Sequence, residues 1–164
     1  MAKNEAVFTK DTANKKITVV RGFDAPVDQV WKAWTESEIL DQWWAPKPYK
    51  AETKRMDFRE GGSWLYAMVG PEGDKQYCLI NYKTIDKLKS FTAFDAFCDE
   101  EGNKNNDFPS MDWKNAFKGS GNNTTVTIEI TFAKPADMDA ILKMGFEEGF
   151  GMGLNNLDDY LANK

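Results

Sequence analysis

The sequence contains no histidine. That absence removes the imidazole base, every Ser-His-Asp or Cys-His nucleophilic unit, and the zinc sets built on histidine. Cysteine is almost missing as well. Cys78 and Cys98 are too few for a four-sulfur metal site and lack C-x-x-C spacing. No apolar run is long enough to span a bilayer, and no apolar signal-peptide core follows the polar start Met1-Ala2-Lys3-Asn4-Glu5-Ala6. The 21 basic and 26 acidic residues leave a net charge of −5, with no basic cluster interleaved with aromatics, which argues against nucleic acid as a partner. A cytoplasmic protein with no resident cofactor or metal is the expectation.

What is present suits a single domain. At 164 residues the chain is long enough to bury a core without staples. Residues 1–16 read as an N-terminal extension with a short strand over Ala6–Thr9 and a turn at Asp11-Thr12-Ala13-Asn14. Residues 17–164 read as the domain proper. Ile17–Phe23 alternates as a strand, with Ile17, Val19 and Phe23 on one face and an unexplained Arg21 among them. Pro26 fits the first turn of a helix, and Val27, Val30, Trp31 and Trp34 then form one apolar stripe. Thr35-Glu36-Ser37-Glu38 has the form of a capping box opening a second short helix with Ile39, Leu40 and Trp43. Pro46 and Pro48 stop it.

Strands are expected near Ala51–Met56, Ser63–Val69, Gln76–Ile85, Ser90–Cys98, Asp112–Lys118 and Thr124–Phe132, separated by turn-forming clusters such as Gly70-Pro71-Glu72-Gly73-Asp74. The last of them alternates cleanly, as in an antiparallel sheet with one face buried. From Pro135 to about Leu161 the spacing predicts one long helix carrying Gly145, Gly149 and Gly153 on a single face. Three interior glycines cost about 3 kcal/mol in helix propensity. Their face therefore belongs to tertiary contact, for close approach to the sheet or for leaving room.

Six blocks carry a family resemblance: Arg21-Gly22-Phe23-Asp24-Ala25-Pro26, Val30-Trp31-Lys32-Ala33-Trp34, Trp43-Trp44-Ala45-Pro46, Asp57-Phe58-Arg59-Glu60-Gly61-Gly62-Ser63-Trp64, Met68-Val69-Gly70-Pro71-Glu72-Gly73 and Gly145-Phe146-Glu147-Glu148-Gly149-Phe150. In this order they resemble the START-like (SRPBCC) superfamily, and within it the family named for activators of the heat-shock protein 90 ATPase. The resemblance implies an α+β helix-grip fold: a curved antiparallel β-sheet wrapped around a long C-terminal α-helix, with two short helices after the first main strand. Departures from the family pattern are Phe150 in place of tryptophan, Ala45 in place of glycine, and a long polar stretch over Asp99–Asp112.

The resemblance also implies a cavity between the C-terminal helix and the sheet, holding a small apolar molecule such as a lipid, a sterol or a polyketide-like compound. The candidate lining is Trp64, Tyr66 and Met68 from one strand face, Phe94 and Phe97 across the sheet, Met144, Gly145, Gly149 and Phe150 from the helix, and Trp44 at the mouth. Tyrosine and tryptophan bring a polar tip and methionine adapts to shape. Two other functions stay open: a protein-binding adaptor for a heat-shock protein 90 type ATPase, and a cyclase- or aromatase-like enzyme. For catalysis the polar groups nearest these strands are Asp57, Arg59, Glu60, Tyr82 and Asp95. An Asp57–Arg59 pair pinning the glycine turn and an outward-facing Asp95 are expected. Asp99-Glu100-Glu101 with Asp107 lacks the calcium-loop pattern and reads as a solvated loop. Cys78 and Cys98 read as buried, reduced thiols, with a redox pair as the alternative. A one-residue slip in register would put them on opposite faces.

Overall fold

The structure, a computed structural model, describes residues 5–162. Residues 1–4 of the expected extension and 163–164 at the other end lie outside that range. The chain order is β1 (Val7–Asp11), β2 (Lys16–Phe23), α1 (Val27–Thr35), α2 (Ser37–Trp43), β3 (Lys50–Met56), β4 (Ser63–Val69), β5 (Lys75–Asp86), β6 (Ser90–Cys98), β7 (Met111–Ser120), β8 (Asn123–Thr131), α3 (Pro135–Lys143) and α4 (Phe146–Ala162). The strands form one antiparallel sheet in the order β1-β2-β8-β7-β6-β5-β4-β3.

Alternation decides which face is buried. Ile17, Val19, Arg21 and Phe23 of β2 point inward beside Val126, Ile128 and Ile130 of β8, and all are at most 2% exposed. The helices fill this concave face. Trp31 and Trp34 of α1 set their rings edge-on against Phe91, Phe117 and Phe23, so α1 closes one end of the sheet. The glycine turn before β4 is required by geometry. Gly61 sits at φ +85°, and a Cβ on Gly62 would meet the Asp57 carbonyl oxygen at 2.1 Å. Arg59 Nε donates to the exposed Asp57 carboxylate at 2.6 Å across that turn.

Two local expectations are corrected. The capping box does not form: the Thr35 hydroxyl donates to the Trp31 carbonyl at 2.9 Å, and α2 starts after Glu36 with no side-chain cap. The C-terminal helical stretch is two helices. Gly145 takes φ +87°, its N–H bonds back to the Leu142 carbonyl, and its own carbonyl accepts from Gly149 N–H to begin α4. A left-handed glycine just past a helix end is a common stop. Gly145 is thus a hinge between helices, and its conformation is one that a side chain would oppose.

The other two glycines differ. A Cβ on Gly153 would lie 3.1 Å and 3.3 Å from the carbonyl oxygens of Trp44 and Trp43, so Gly153 allows α4 to touch the end of α2 rather than the sheet. A Cβ on Gly149 would meet only Pro46 Cγ, at an ordinary 3.7 Å. Arg21 finds its partners on the same helix: Nη2 donates to Asn155 Oδ1 at 3.0 Å and lies 3.6 Å from Asp158, while Nη1 donates to the Gly22 carbonyl. The guanidinium, at 2% exposure, ties α4 to β2.

The polar Asp99–Asp112 stretch has a structural use. Asp99 accepts bonds from the Glu101 and Asn103 backbones, and Gly102 approaches Leu65 and Leu79 on the outer face of the sheet. That cover explains why the outward Leu65, Ala67, Ala96 and Cys98 are buried. No group of acidic or cysteine residues able to hold a metal occurs among the described residues.

Candidate functional site

A cavity of about 400 Å³ lies between β4–β7 and the junction of α3 with α4. The sheet supplies its floor. Tyr66 and Met68 of β4 pair with Cys78 and Gln76 of β5, Cys78 pairs with Phe97 of β6, and Asp95 of the same β6 face pairs with Met111 of β7, two residues from Trp113. Helical residues form the roof: Ile141, Met144, Gly145, Phe146, Gly149 and Phe150. Trp44, Pro46 and Tyr49, from the chain leaving α2, make the side wall. Met144 and Tyr49, the most exposed of these, mark the opening to solvent.

The cavity exists because the helical segment breaks where it does. Gly145 turns the chain over the opening, and Gly149 presents no side chain to the space beneath. Around it the aromatic rings brace one another. Trp44 packs edge-on against Trp43, Trp64 and Phe150, and Phe150 packs against Trp113 and stacks on Phe146. Such pairs add roughly 0.5–1.5 kcal/mol each beyond the area they bury, which stiffens the wall.

Polar groups gather at the deep end. Trp44 Nε1 donates to the Tyr66 hydroxyl at 2.8 Å. Tyr66 lies beside Cys78 and Asp95, and burial holds both the phenol and the thiol well above their usual ranges. Asp95 is 6% exposed, and burial pushes its carboxyl up to about 7. The nearby Trp113 indole N–H favours the carboxylate but completes no hydrogen bond. No Lys or Arg contributes to the field at Asp95. A buried acid poised near neutrality, on an apolar surface and without a protein cation, is an anchoring or proton-exchanging group.

The sequence-predicted residues divide as follows. Trp44, Tyr66, Met68, Phe97, Met144, Gly145, Gly149 and Phe150 all border the cavity, but Trp44, expected at the mouth, is a buried wall residue whose indole N–H reaches Tyr66 at the deep end. Phe94 does not: parity places it on the outer face, where the Lys83 and Lys104 ammonium groups lie 5.8 Å and 5.7 Å from its ring centre. Trp64 lies behind the wall, stacked on Tyr66 with ring centres 4.0 Å apart and its Nε1 donating to Thr53 Oγ1. Asp95, expected to face outward, faces in. Cys78 pairs with Phe97 and Tyr77 with Cys98, so the two thiols sit on opposite faces of the sheet and both are free. Cys78, Gln76, Met111 and Trp113 were not anticipated. Fixing the register of β5 against β4 would have found the first two, since Cys78 and Gln76 lie opposite Tyr66 and Met68.

A curved antiparallel sheet gripping a C-terminal helix over a cavity is the helix-grip class of fold. Residues 24–162 match the family model described as activator of Hsp90 ATPase homolog 1-like protein, and the chain belongs to that family. Solved structures agree. A protein from Arthrobacter aurescens superposes with a TM-score of 0.91 at 28% identity, over 96% of this chain and 92% of that one. Protein Ms6760 from Mycobacterium smegmatis gives 0.87 at 29% identity, over 95% and 96%. A protein from Staphylococcus epidermidis gives 0.83 at 28%, over 96% and 94%. No curated protein has a sequence that matches this one. No helix among the described residues is long and apolar enough to cross a membrane.

Proposed function

We propose that the protein binds a small, largely apolar molecule in the cavity between the sheet and the α3–α4 junction. One observation carries the reading: a space of about 400 Å³ whose walls are almost wholly aromatic and aliphatic, inside an otherwise tightly packed domain. That volume falls within the range of small-molecule sites, as does the pattern of a few polar groups in an apolar lining. Tyr66 and Asp95 give such a molecule an orientation, and Met68, Met111 and Met144 adapt to its outline. Binding without catalysis is the function these residues support. Two unpaired thiols on opposite sheet faces suit a reducing, cytoplasmic setting.

A thermal-shift screen against fatty acids, sterols, flavonoids, aromatic polyketide-like compounds and apolar amines tests the proposal. A ligand at about 100 times its Kd adds about 2.7 kcal/mol. For a domain of this size that raises Tm by roughly 5–10 °C. A reproducible rise confined to one chemical class is the expected result. A flat response across the panel refutes small-molecule binding and turns the search to a protein partner such as a heat-shock protein 90 type ATPase.

A further inference from the structure

We infer that the cavity selects an apolar amine, its ammonium group paired with the Asp95 carboxylate at the deep end and its body held among the rings of the wall. The inference rests on the cavity being a binding site and specifies the chemistry of what enters. Three observations bear on it. Asp95 is a carboxylate on the floor of the space, more than nine-tenths buried, with no protein cation facing it. Ring faces and edges of Trp44, Tyr66, Trp113 and Phe150 surround the same region, and ring faces attract organic cations. The remaining titratable neighbours stay neutral at pH 7: Tyr66 from β4, Cys78 and Tyr82 from β5, and the Cys98 thiol on the outer face of β6 are all pushed above their usual ranges. The β7 side offers Met111 and Trp113 and the α4 side Gly149 and Phe150, none of them charged. Nothing in the cavity competes for the cation, and nothing there would neutralise a ligand carboxylate.

The charge balance predicts the pH dependence. With its carboxyl near 7, Asp95 holds its proton in mildly acidic solution and must release it to pair with an ammonium ion. Amine affinity therefore rises as pH increases through 7, and at pH 6 each binding event releases roughly half a proton or more to the buffer. The affinity of an uncharged ligand of the same shape lacks that rise.

Calorimetric titration of the full chain with phenylbutylamine, phenylbutanol and phenylbutyrate, at pH 6 and pH 8, decides the matter. A charge-assisted bond is worth about 1.5–3 kcal/mol, so the amine should bind about ten- to a hundredfold more tightly than the alcohol at pH 8. Phenylbutyrate should bind weakest. The amine's advantage should vanish in Asp95→Asn and persist in Phe94→Leu, which alters the opposite face. The pH dependence of the unaltered protein supplies the same test without a substitution. Equal affinity for alcohol and amine, or preference for phenylbutyrate, overturns the amine assignment and leaves the cavity as a binding site. Absence of binding by all three overturns the amine assignment and counts against the binding reading with it.

Discussion

Asp95→Asn should make the protein less sensitive to pH, and the size of the effect follows from burial. The carboxyl has an ordinary value of 3.8 and stands at about 7 in the folded chain, a difference of roughly three pH units. At about 1.36 kcal/mol for each, the total is about 4 kcal/mol. Below pH 3.8 folded and unfolded chains both hold the proton, and Asp95 contributes no slope. Between 3.8 and 7 the unfolded chain has released its proton while the folded chain keeps it, so stability falls as pH rises. Above 7 the loss is complete and constant.

Between pH 5 and pH 8 the wild-type protein should therefore lose about 3 kcal/mol relative to Asp95→Asn, or about 6–10 °C in Tm. The window is favourable because the chain has no histidine to titrate inside it. Urea unfolding of both proteins at half-unit steps is the assay, with the difference between the two curves as the readout. Parallel curves over that range would show that Asp95 is ionised and solvated in the folded state. The inward placement and the desolvation argument would then both be wrong.

Three further substitutions, one labelling experiment and one oxidation probe the rest of the structure. Gly149→Ala adds a methyl group against Pro46 at ordinary contact distance, so the helix should gain up to about 1 kcal/mol while the cavity narrows and ligand affinity drops. Gly153→Ala drives a Cβ toward two backbone carbonyls and should lose about 1–3 kcal/mol; a gain in urea resistance would contradict the close approach of α4 to α2. Trp64→Ala should cost about 3–5 kcal/mol by urea titration, because the indole is 2% exposed and supports Tyr66; a loss below about 1 kcal/mol would refute that packing. An apolar maleimide should label Cys78 slowly, its thiol being raised and enclosed, and a cavity ligand should slow it further. No intramolecular disulfide should form under mild oxidation, since Cys78 and Cys98 face opposite ways.

Elements with one wet face could be read from the sequence, and elements with two apolar faces could not. The β2 and β8 strands alternate sharply, so their inward residues were identifiable. In β6 the inward row is Phe91, Ala93, Asp95 and Phe97, while the outward row is Phe94, Ala96 and Cys98. Both rows are apolar because the Asp99–Lys104 turn covers the outer face, so period-two counting has no contrast to work with. That ambiguity turned Asp95 outward and Phe94 inward in the expectation. A similar limit applies to the helices. Period-3.6 spacing runs unbroken from α3 into α4, and the stop depends on a backbone angle at Gly145 that hydrophobic periodicity does not encode.

An accident of packing does not account for the cavity, on energetic grounds. A dry void costs about 24 cal/mol for each Å³. At about 400 Å³ the cost would be about 10 kcal/mol, comparable with the whole stability of a domain this size. The space must therefore be reached by water or by a ligand, which agrees with Met144 and Tyr49 standing open at one end. Water gains little from walls this apolar, since each molecule needs two to four polar partners and the floor offers few beyond Asp95, Tyr66, Gln76 and the Trp113 indole N–H. A methyl group at Gly149 would narrow the space at an ordinary contact distance from Pro46. The helix instead accepts the propensity cost of glycine there, and the ring-on-ring wall of Trp44, Phe150 and Trp113 holds the roof over the floor. That expense supports the proposed reading of the cavity as a site for an apolar occupant.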